Sequence, residues 1–238
     1  MSADIATNID LIDVSVVLPC LDEAASVGQC VRDAWVGLAD LGVTGEVIVC
    51  DNGSRDASRA IAAHAGARVE HAHCRGYGAA LRNGIAAARG TYTIIADCDG
   101  TYDLTNLRPF LERLRAGDDL VIGNRFDGHI AAGAMPFLNR YVGNPVLSAL
   151  GRALTHANVS DFHSGMRAFR TDAITSLALR ANGMEYASEM IARAAAEKLQ
   201  IGEIPINLAK TTRDRNQSHL RPVRDGLRHV GTLITLHR

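Results

Sequence analysis

In the stretch Thr91-Tyr-Thr-Ile-Ile-Ala-Asp97-Cys98-Asp99, a β-branched apolar run leads directly into two acids. The run predicts a buried strand, and the acids after it are spaced i, i+2. Side chains at that spacing point the same way on an extended backbone. Open α/β sheets present ligand-binding groups at the carboxyl ends of their strands. We interpret Asp97 and Asp99 as a pair suited to a hard cation such as Mg²⁺ or Mn²⁺, with a solvated acidic turn as the alternative.

The bulk composition indicates an ordinary globular protein. The chain has 238 residues, 47% of them hydrophobic, and a formal net charge of −1, which excludes a nucleic-acid binder driven by bulk charge. No apolar run reaches the roughly 18 residues of a transmembrane helix. Residues 1–8 lack the cationic and apolar parts of a signal peptide. The five cysteines lack zinc-ribbon spacing, so we expect reduced thiols and a cytoplasmic location, with membrane association left open.

Strands and helices alternate along the first half of the chain, which predicts a parallel sheet with right-handed crossovers. We predict strands at 14–18, 46–50, 68–70, 91–96 and 119–123. Helices are predicted at 24–41, 54–65, 79–88 and 107–114. After a loop at 124–136 we expect helices at 137–154 and 184–199, a turn and strand within 161–169, and a strand at 201–208. Residues 1–209 should form one domain, followed by a basic C-terminal extension at 210–238.

A glycine-rich turn, Gly76-Tyr-Gly78, invites comparison with dinucleotide-binding loops. It fits G-x-G-x-x only partly, and it follows the third predicted strand rather than the first. We therefore reject NAD binding.

Several motifs occur in a distinctive order: VVLPCLDE at 16–23, VIVCDNGSRD at 47–56, GYGAALRNG at 76–84 and DCD at 97–99. They continue with GNRF at 123–126, DFHSGMRAF at 161–169, SEM at 188–190 and EIPI at 203–206. The set resembles the family 2 glycosyltransferases, and among them the polyprenyl-phosphate (dolichyl-phosphate) sugar synthases. The resemblance covers about residues 14–208. It implies the GT-A fold, an α/β fold whose Rossmann-like, mostly parallel sheet has helices on both faces.

The resemblance also implies a site for a nucleotide-sugar donor, with UDP favoured over GDP. The residues expected to surround the donor are Pro19, Leu21, Glu23, Asp51, Gly76, Gly78, Arg82, Asp97 and Cys98. Among them, Asp51 would accept hydrogen bonds from the base, and Arg82 would neutralise a phosphate. Asp99 would coordinate a cation that bridges the diphosphate, and Asp97 would bind either this metal or the ribose. Two residues after the second acid, where the family often has Gln, this chain has Thr101, so we assume no third metal ligand there.

The implied reaction is an inverting displacement in which negative charge builds on the departing diphosphate, where a divalent cation and arginines would stabilise it. A polyprenyl-phosphate-like acceptor is already an anionic nucleophile. Its phosphate would be held by Arg125 and Arg140, with Asn144 one helical turn beyond. A neutral hydroxyl, as on a nucleoside-type natural product, would instead need a general base. Asp161 and Glu189 are the candidates, and each has a structural alternative.

Three alternatives remain open at this point. Membrane-linked relatives often continue into transmembrane helices after a basic segment like residues 218–229, whereas only 230–236 are apolar here. Either the basic tail makes a peripheral membrane contact or the acceptor is soluble. A nucleotidylyltransferase would carry a glycine-rich basic loop where this chain has Pro19-Cys-Leu-Asp-Glu23. A binding module without turnover is disfavoured by the intact Asp97 and Asp99.

Overall fold

The computed structural model describes residues 12–212 and 222–237. Within them, one sheet contains the strands β1 (Val14–Cys20), β2 (Gly45–Asp51), β3 (Arg68–His71), β4 (Tyr92–Ile95), β5 (Leu120–Asn124), β6 (Arg167–Arg170) and β7 (Ile201–Pro205). Their order across the sheet is β3-β2-β1-β4-β6-β5-β7. Strand β6 is antiparallel to both neighbours, and the other pairs are parallel. The predicted α/β fold with a mostly parallel sheet is confirmed.

The helices are α1 (Val27–Leu41), α2 (Ser58–His64), α3 (Tyr77–Ala87), α4 (Arg108–Arg115), α5 (Asn144–Thr155), α6 (Thr171–Ser176), α7 (Tyr186–Ala196) and α8 (Pro222–His237). A π-helical turn, Asn139–Gly143, leads into α5. Two of these helices were not predicted. Helix α6 is a short polar helix that directly follows β6, and α8 lies in the segment predicted only as a basic extension.

Helices cover both faces of the sheet because its central strands are apolar on both sides, as parallel sheets require. Alternation along β1 sends Val16 and Leu18 into one core and Val17 into the other. The first core is completed by α1 and α4, and the second by α3 and α7. Every residue of β1 is buried.

The strand register brings the predicted binding segments to one edge of the sheet. Cys20 of β1 pairs with Asp51 of β2, and Val17 of β1 pairs with Ile95 of β4. The carboxyl ends of these three strands therefore lie side by side. Strand β6 runs the other way, so its amino end, with Arg167, faces the same edge.

The chain leaves β7 at Pro205, three residues earlier than predicted, and returns toward the centre of the sheet. Leu208 bridges to both Tyr102 and Ile130, and the Ala209 N–H donates to the Thr101 carbonyl at 2.9 Å. Further on, α8 packs against α5 and α7. The described part of the predicted extension therefore contacts the domain directly.

Part of the sequence prediction falls outside the described residues: the N-terminal segment 1–8 and, in the basic tail, Arg213, Arg215, Arg221 and Arg238. Among the helices within 12–212 and 222–237, none is both long and apolar enough to cross a membrane.

Candidate functional site

The acid pair lies in the loop that follows β4. The Tyr77 hydroxyl, from the first turn of α3, donates to Oδ1 of Asp97 at 2.8 Å. Burial, and then repulsion by Asp99, raise the pKa of Asp97 to about 6, and the Tyr77 hydrogen bond only partly opposes this rise. The two carboxylates thus lie close together, and both burial and mutual repulsion disfavour the ionised form of Asp97.

Asp99 is oriented by its own loop. Its Oδ1 accepts hydrogen bonds from the backbone N–H of Thr101 at 3.1 Å and from the Thr101 hydroxyl at 2.7 Å. Its backbone carbonyl accepts hydrogen bonds from the Thr211 hydroxyl at 3.2 Å and from the Thr212 N–H at 3.3 Å. Thr101 therefore supports Asp99, and the segment that returns from β7 holds the loop in place.

These two carboxylates fit a divalent cation that is shared with a substrate. No group of three or more His, Cys, Asp and Glu side chains suited to a metal occurs among residues 12–212 and 222–237. Mg²⁺ in phosphate-transfer sites takes one or two carboxylates and completes its shell with phosphate oxygens and water. A cation would also relieve the repulsion that raises the pKa of Asp97.

Asp51 shapes the loop that follows β2. It is 2% exposed, and its carboxylate accepts hydrogen bonds from the N–H groups of Gly53 and Ser54, both at 3.1 Å. This Asx-type turn uses Gly53 at φ +93°. The carboxylate thus lies at the predicted edge, but its backbone contacts are those of a turn-forming residue.

The segment after β1 is tied to both neighbouring loops. The Cys98 thiol donates to the Pro19 carbonyl at 3.0 Å. The Glu23 N–H donates to the Ser58 hydroxyl at 2.7 Å, and the Glu23 side chain is buried. Leu21, between them, is half-buried. The structure therefore brings Pro19, Leu21, Glu23 and Cys98 to the same edge as Asp51 and the acid pair.

Gly76 and Gly78 lie against the protein's own loop 180–183. A Cβ at Gly76 would stand 2.0 Å from the carbonyl oxygen of Asn182, and one at Gly78 would stand 2.6 Å from that of Ala181. Gly76 also has a φ of +135°, which favours glycine. Both glycines thus serve loop packing, and their predicted approach to a nucleotide stays a prediction.

Arg82 contacts this same loop. Its guanidinium donates to the Arg180 carbonyl at 2.8 Å and to Oδ1 of Asn182 at 2.8 Å. Arg82 thus fixes loop 180–183 to α3, and its predicted contact with a phosphate stays a prediction.

Arg125 and Asp161 form a buried bidentate ion pair. Nε and Nη2 of Arg125 donate to the two carboxylate oxygens, each at 2.7 Å, and Asp161 is 0% exposed. Burial alone would raise the pKa of Asp161, but the Arg125 guanidinium outweighs it and lowers that pKa below its usual range. An inaccessible, weakly basic carboxylate is unsuited to general base catalysis. The ion pair thus gives both residues a structural role, and their predicted roles as general base (Asp161) and phosphate ligand (Arg125) stay predictions.

Glu189 shows the structural alternative that the sequence left open. Its carboxylate accepts hydrogen bonds from the N–H groups of Arg180 at 3.0 Å and Ala181 at 2.7 Å, and from Nε of Arg193 at 3.1 Å. It is 4% exposed. These contacts give the Glu189 carboxylate a structural role, and its predicted role as a general base stays a prediction.

Arg140 lies in the π-helical turn before α5 and is half-buried. Its guanidinium carbon is 5.3 Å from the centre of the Tyr141 ring. Asn144 donates from Nδ2 to the Met135 sulfur at 3.5 Å. Of the two predicted phosphate-binding arginines, Arg140 is the better candidate, since no carboxylate in the described structure forms an ion pair with it.

Three residues that hold Asp97 or the loop next to it were not predicted from the sequence: Tyr77, Gly165 and Arg167. A Cβ at Gly165 would stand 2.4 Å from Asp97 Oδ2, and the Gly165 N–H donates to the Tyr102 hydroxyl at 2.8 Å. Arg167 is 1% exposed and donates to the carbonyls of Phe162, Ser164 and Ala187. The signal for Arg167 was a lone arginine in the apolar run Met-Arg-Ala-Phe. Tyr77 stood between two glycines and offered no comparable signal.

An apolar stripe is exposed beside Arg140. It consists of Phe137, Leu138, Tyr141, Val142 and Val146, which are 75, 67, 57, 47 and 60% exposed. Their spacing places them along one side of the π-helical turn and α5. Contiguous exposed apolar side chains mark an interaction surface.

Comparison with known proteins gives consistent results. The sequence model described as glycosyl transferase family 2 matches residues 15–177. The low-salt glycan biosynthesis hexosyltransferase of Haloferax volcanii is 40% identical over 222 residues, which are 93% of this chain and 53% of that protein. This chain thus spans about half the length of that relative.

Two further relatives match over most of their lengths. A dolichyl-phosphate hexose transferase of Haloferax volcanii is 32% identical over 195 residues, 82% of either chain. Glucosyl-3-phosphoglycerate synthase from Mycobacterium tuberculosis, solved with Mn²⁺, UDP and phosphoglyceric acid, is 26% identical with a TM-score of 0.72. That match covers 95% of this chain and 78% of the solved one, and it confirms the GT-A fold.

Proposed function

Since this chain belongs to glycosyl transferase family 2, we propose that it is an inverting, metal-dependent hexosyltransferase that moves a sugar from a nucleoside diphosphate to a lipid phosphate. The observation that carries the proposal is the position of Asp97 and Asp99, at the carboxyl end of β4 and beside the ends of β1 and β2. A donor at this edge would meet Asp51 at its base and the acid pair at its diphosphate.

The donor half of the proposal rests on how the two acids are held. Tyr77 orients Asp97 by a hydrogen bond, and Thr101 orients Asp99 by two. A bound Mg²⁺ or Mn²⁺ would supply positive charge to the diphosphate as the sugar–oxygen bond breaks. The solved relative with Mn²⁺ and UDP supports a divalent metal and favours UDP over GDP.

The acceptor half rests on the contacts of both candidate bases. Asp161 is paired with Arg125, and Glu189 holds the backbone of loop 180–183. A hydroxyl acceptor needs a base, whereas a phosphate is already an anionic nucleophile. This difference favours a phosphate acceptor, with Arg140 as its proposed ligand. The dolichyl-phosphate hexose transferase among the relatives supports the same choice.

The apolar stripe beside Arg140 supports a lipid acceptor over a soluble one. A polyprenyl chain leaves its phosphate at a membrane surface, and exposed Phe137 and Leu138 would lie in that interface. We therefore propose peripheral membrane contact through this stripe, with the basic tail adding attraction to anionic lipid.

A soluble acceptor is the second candidate, because the solved relative also binds phosphoglyceric acid. It would make the protein a biosynthetic glycosyltransferase acting on a small molecule, for example a nucleoside-type natural product. The nucleotidylyltransferase alternative is withdrawn, since family membership speaks against it.

A transfer assay with radiolabelled UDP- and GDP-hexoses tests the proposal. Each donor is incubated with Mn²⁺ and either dolichyl phosphate in detergent or phosphoglyceric acid, and the label is followed by solvent extraction. We expect label in the organic phase with a UDP-hexose and dolichyl phosphate, and its loss with EDTA. Label only in the aqueous product would favour the soluble alternative. Donor binding without transfer to any acceptor would contradict both.

A further inference from the structure

The loop 160–166 packs against the acid pair at Asp97. Gly165 contacts the Asp97 carboxylate and is fixed to Tyr102, as described above. The beginning of the loop is also fixed, because the Glu203 carboxylate accepts hydrogen bonds from the N–H groups of Ser160 at 2.9 Å and Asp161 at 3.1 Å. A shift of this loop would therefore move Asp97.

His163, in the middle of the loop, is held differently. Its ring packs edge-on against the ring of His229, with centroids 4.5 Å apart and planes at 75°. Nε2 of His163 is buried and has no hydrogen-bond partner among the described residues. Burial, and then the neighbouring His229, lower the pKa of His163 to about 3, so this ring is neutral at physiological pH. Packing on His229 is thus a contact that holds this ring in place.

His229 lies on α8, far along the chain from the loop, and is 7% exposed. Its Nδ1 is 2.8 Å from the Ser188 hydroxyl of α7, and Ser188 is fully buried. One helical turn further, Leu233 is 1% exposed. His229 and Leu233 therefore form the side of α8 that docks on the domain.

Ser188 itself connects to the support of Asp97. The residue before it, Ala187, accepts the Arg167 guanidinium at its carbonyl, and Arg167 in turn donates to the carbonyls of Phe162 and Ser164 in the loop. One imidazole on α8 thus contacts loop 160–166 through His163, and the anchor of that loop through Ser188.

We infer that His229 is a positioning residue, by which the C-terminal helix α8 holds loop 160–166 against Asp97. Helix α8 then belongs to the catalytic unit, although it contributes no group to the reacting atoms. The ring packing positions the loop, and the Ser188 hydrogen bond positions the ring. The kinetic part of this inference rests on the proposed function, whereas its structural part does not.

The test compares His229→Ala, His229→Asn and the matched control His64→Ala. Asparagine keeps a polar atom near the place of Nδ1 and so retains the Ser188 hydrogen bond. His64 is an exposed histidine at the end of α2. Amide hydrogen exchange is measured on peptides that cover 160–166 and, as an internal reference, on peptides from α1. Melting temperature, kcat and donor KM are measured on the same samples.

We expect His229→Ala to speed exchange in 160–166 by about tenfold or more while α1 is unchanged. Its kcat should fall by about tenfold to a hundredfold at similar donor KM, because a small misplacement is costly. His229→Asn should restore part of both, and His64→Ala should match the parent. Unchanged exchange in 160–166, or a lower melting temperature with unchanged kcat per folded molecule, would overturn the inference. Should no acceptor be glycosylated at all, the exchange result still decides the structural part.

Discussion

At the scale of single residues, the two carboxylates of the acid pair are held by different contacts. Asp99 is oriented by two hydrogen bonds from Thr101, while the half-buried Asp97 accepts a hydrogen bond from the Tyr77 hydroxyl and lies against Gly165. Burial, and then the proximity of Asp99, raise the pKa of Asp97 to about 6. The pair is therefore electrostatically unfavourable until positive charge arrives, which is typical of a cation-binding site.

Asp99→Asn should abolish cation-dependent donor binding without unfolding the protein, because the amide keeps the size of the side chain but loses its charge. Stabilisation by UDP with Mn²⁺ in a thermal melt, a mass-action effect, should disappear. Transfer should fall by about a hundredfold or more. Asp103→Asn is the matched control, since Asp103 is an exposed aspartate that bonds only to Thr105 among the described residues. Full activity in Asp99→Asn would refute the metal site.

The raised pKa of Asp97 predicts a pH dependence. Since only the carboxylate binds a cation, Mn²⁺ affinity should fall as the pH drops through about 6. Tyr77→Phe removes a hydrogen bond that lowers the pKa of Asp97. In this variant the loss of Mn²⁺ affinity at acidic pH should therefore begin at a higher pH than in the parent. Isothermal titration with Mn²⁺ and UDP at a series of pH values measures both proteins. The same pH dependence of Mn²⁺ affinity in the two proteins would show that Tyr77 does not affect the pKa of Asp97.

The same shift has the opposite sign for stability without metal. A carboxyl group whose pKa is higher in the folded state than in the unfolded state stabilises the folded state at low pH. For Asp97 this stabilisation is fully present when the pH is below 3.8, the ordinary pKa of an aspartate. This contribution is lost as the pH rises through about 6. Metal binding and stability of the metal-free protein thus respond to Asp97 in opposite directions.

At the scale of elements, loop 180–183 organises the amino end of α3. Glu189 holds its N–H groups, Arg82 holds its carbonyls, and Gly76 and Gly78 let it approach. Four residues expected at the substrate site thus serve first to fix this loop. Any contact they make with a donor depends on the loop being in place.

Gly78→Ala should therefore be destabilising. Its Cβ would stand 2.6 Å from the Ala181 carbonyl oxygen and 2.7 Å from the Tyr186 Cβ, and such overpacking costs about 1–3 kcal/mol. Gly231→Ala in α8 is the matched control, because nothing lies within 4 Å of its Cβ. Alanine there should be neutral or stabilise the helix by up to about 1 kcal/mol. Urea denaturation measures both, and equal free energies of unfolding would contradict the packing argument.

The sequence predicted local elements better than contacts between them. Hydrophobic period located the strands around Val14–Cys20 and the acids after Tyr92–Ile95, because burial leaves a pattern in neighbouring residues. The Arg125–Asp161 ion pair joins positions 36 residues apart, and no local pattern encodes it. For the same reason Asp161 resembled a free base. Helix α8 was not predicted because charged residues interrupt the apolar pattern of its sequence. The side that it buries is recognisable only from its packing against α5 and α7.

At the scale of the whole molecule, the proposed site has two halves of different character. The proposed donor side is built from strand ends, where register fixes the positions of Asp51 and the acid pair. The proposed acceptor side is built around the π-helical turn and α5, which carry most of the apolar stripe. A water-soluble donor and a lipid acceptor would therefore approach from different surroundings.

If the apolar stripe enters a membrane, its removal should weaken lipid binding more than it changes the fold. In Phe137→Ser with Leu138→Ser, two side chains 75 and 67% exposed lose their apolar area, which should reduce liposome affinity by about tenfold or more. Val36→Ser is the control, because Val36 is 55% exposed on α1, which packs on the opposite core. Co-sedimentation with neutral and anionic vesicles separates the stripe from the basic tail, whose contribution alone should depend on anionic lipid and weaken with salt. Equal binding by the double variant and the parent would place the lipid contact elsewhere, and it would favour the soluble acceptor.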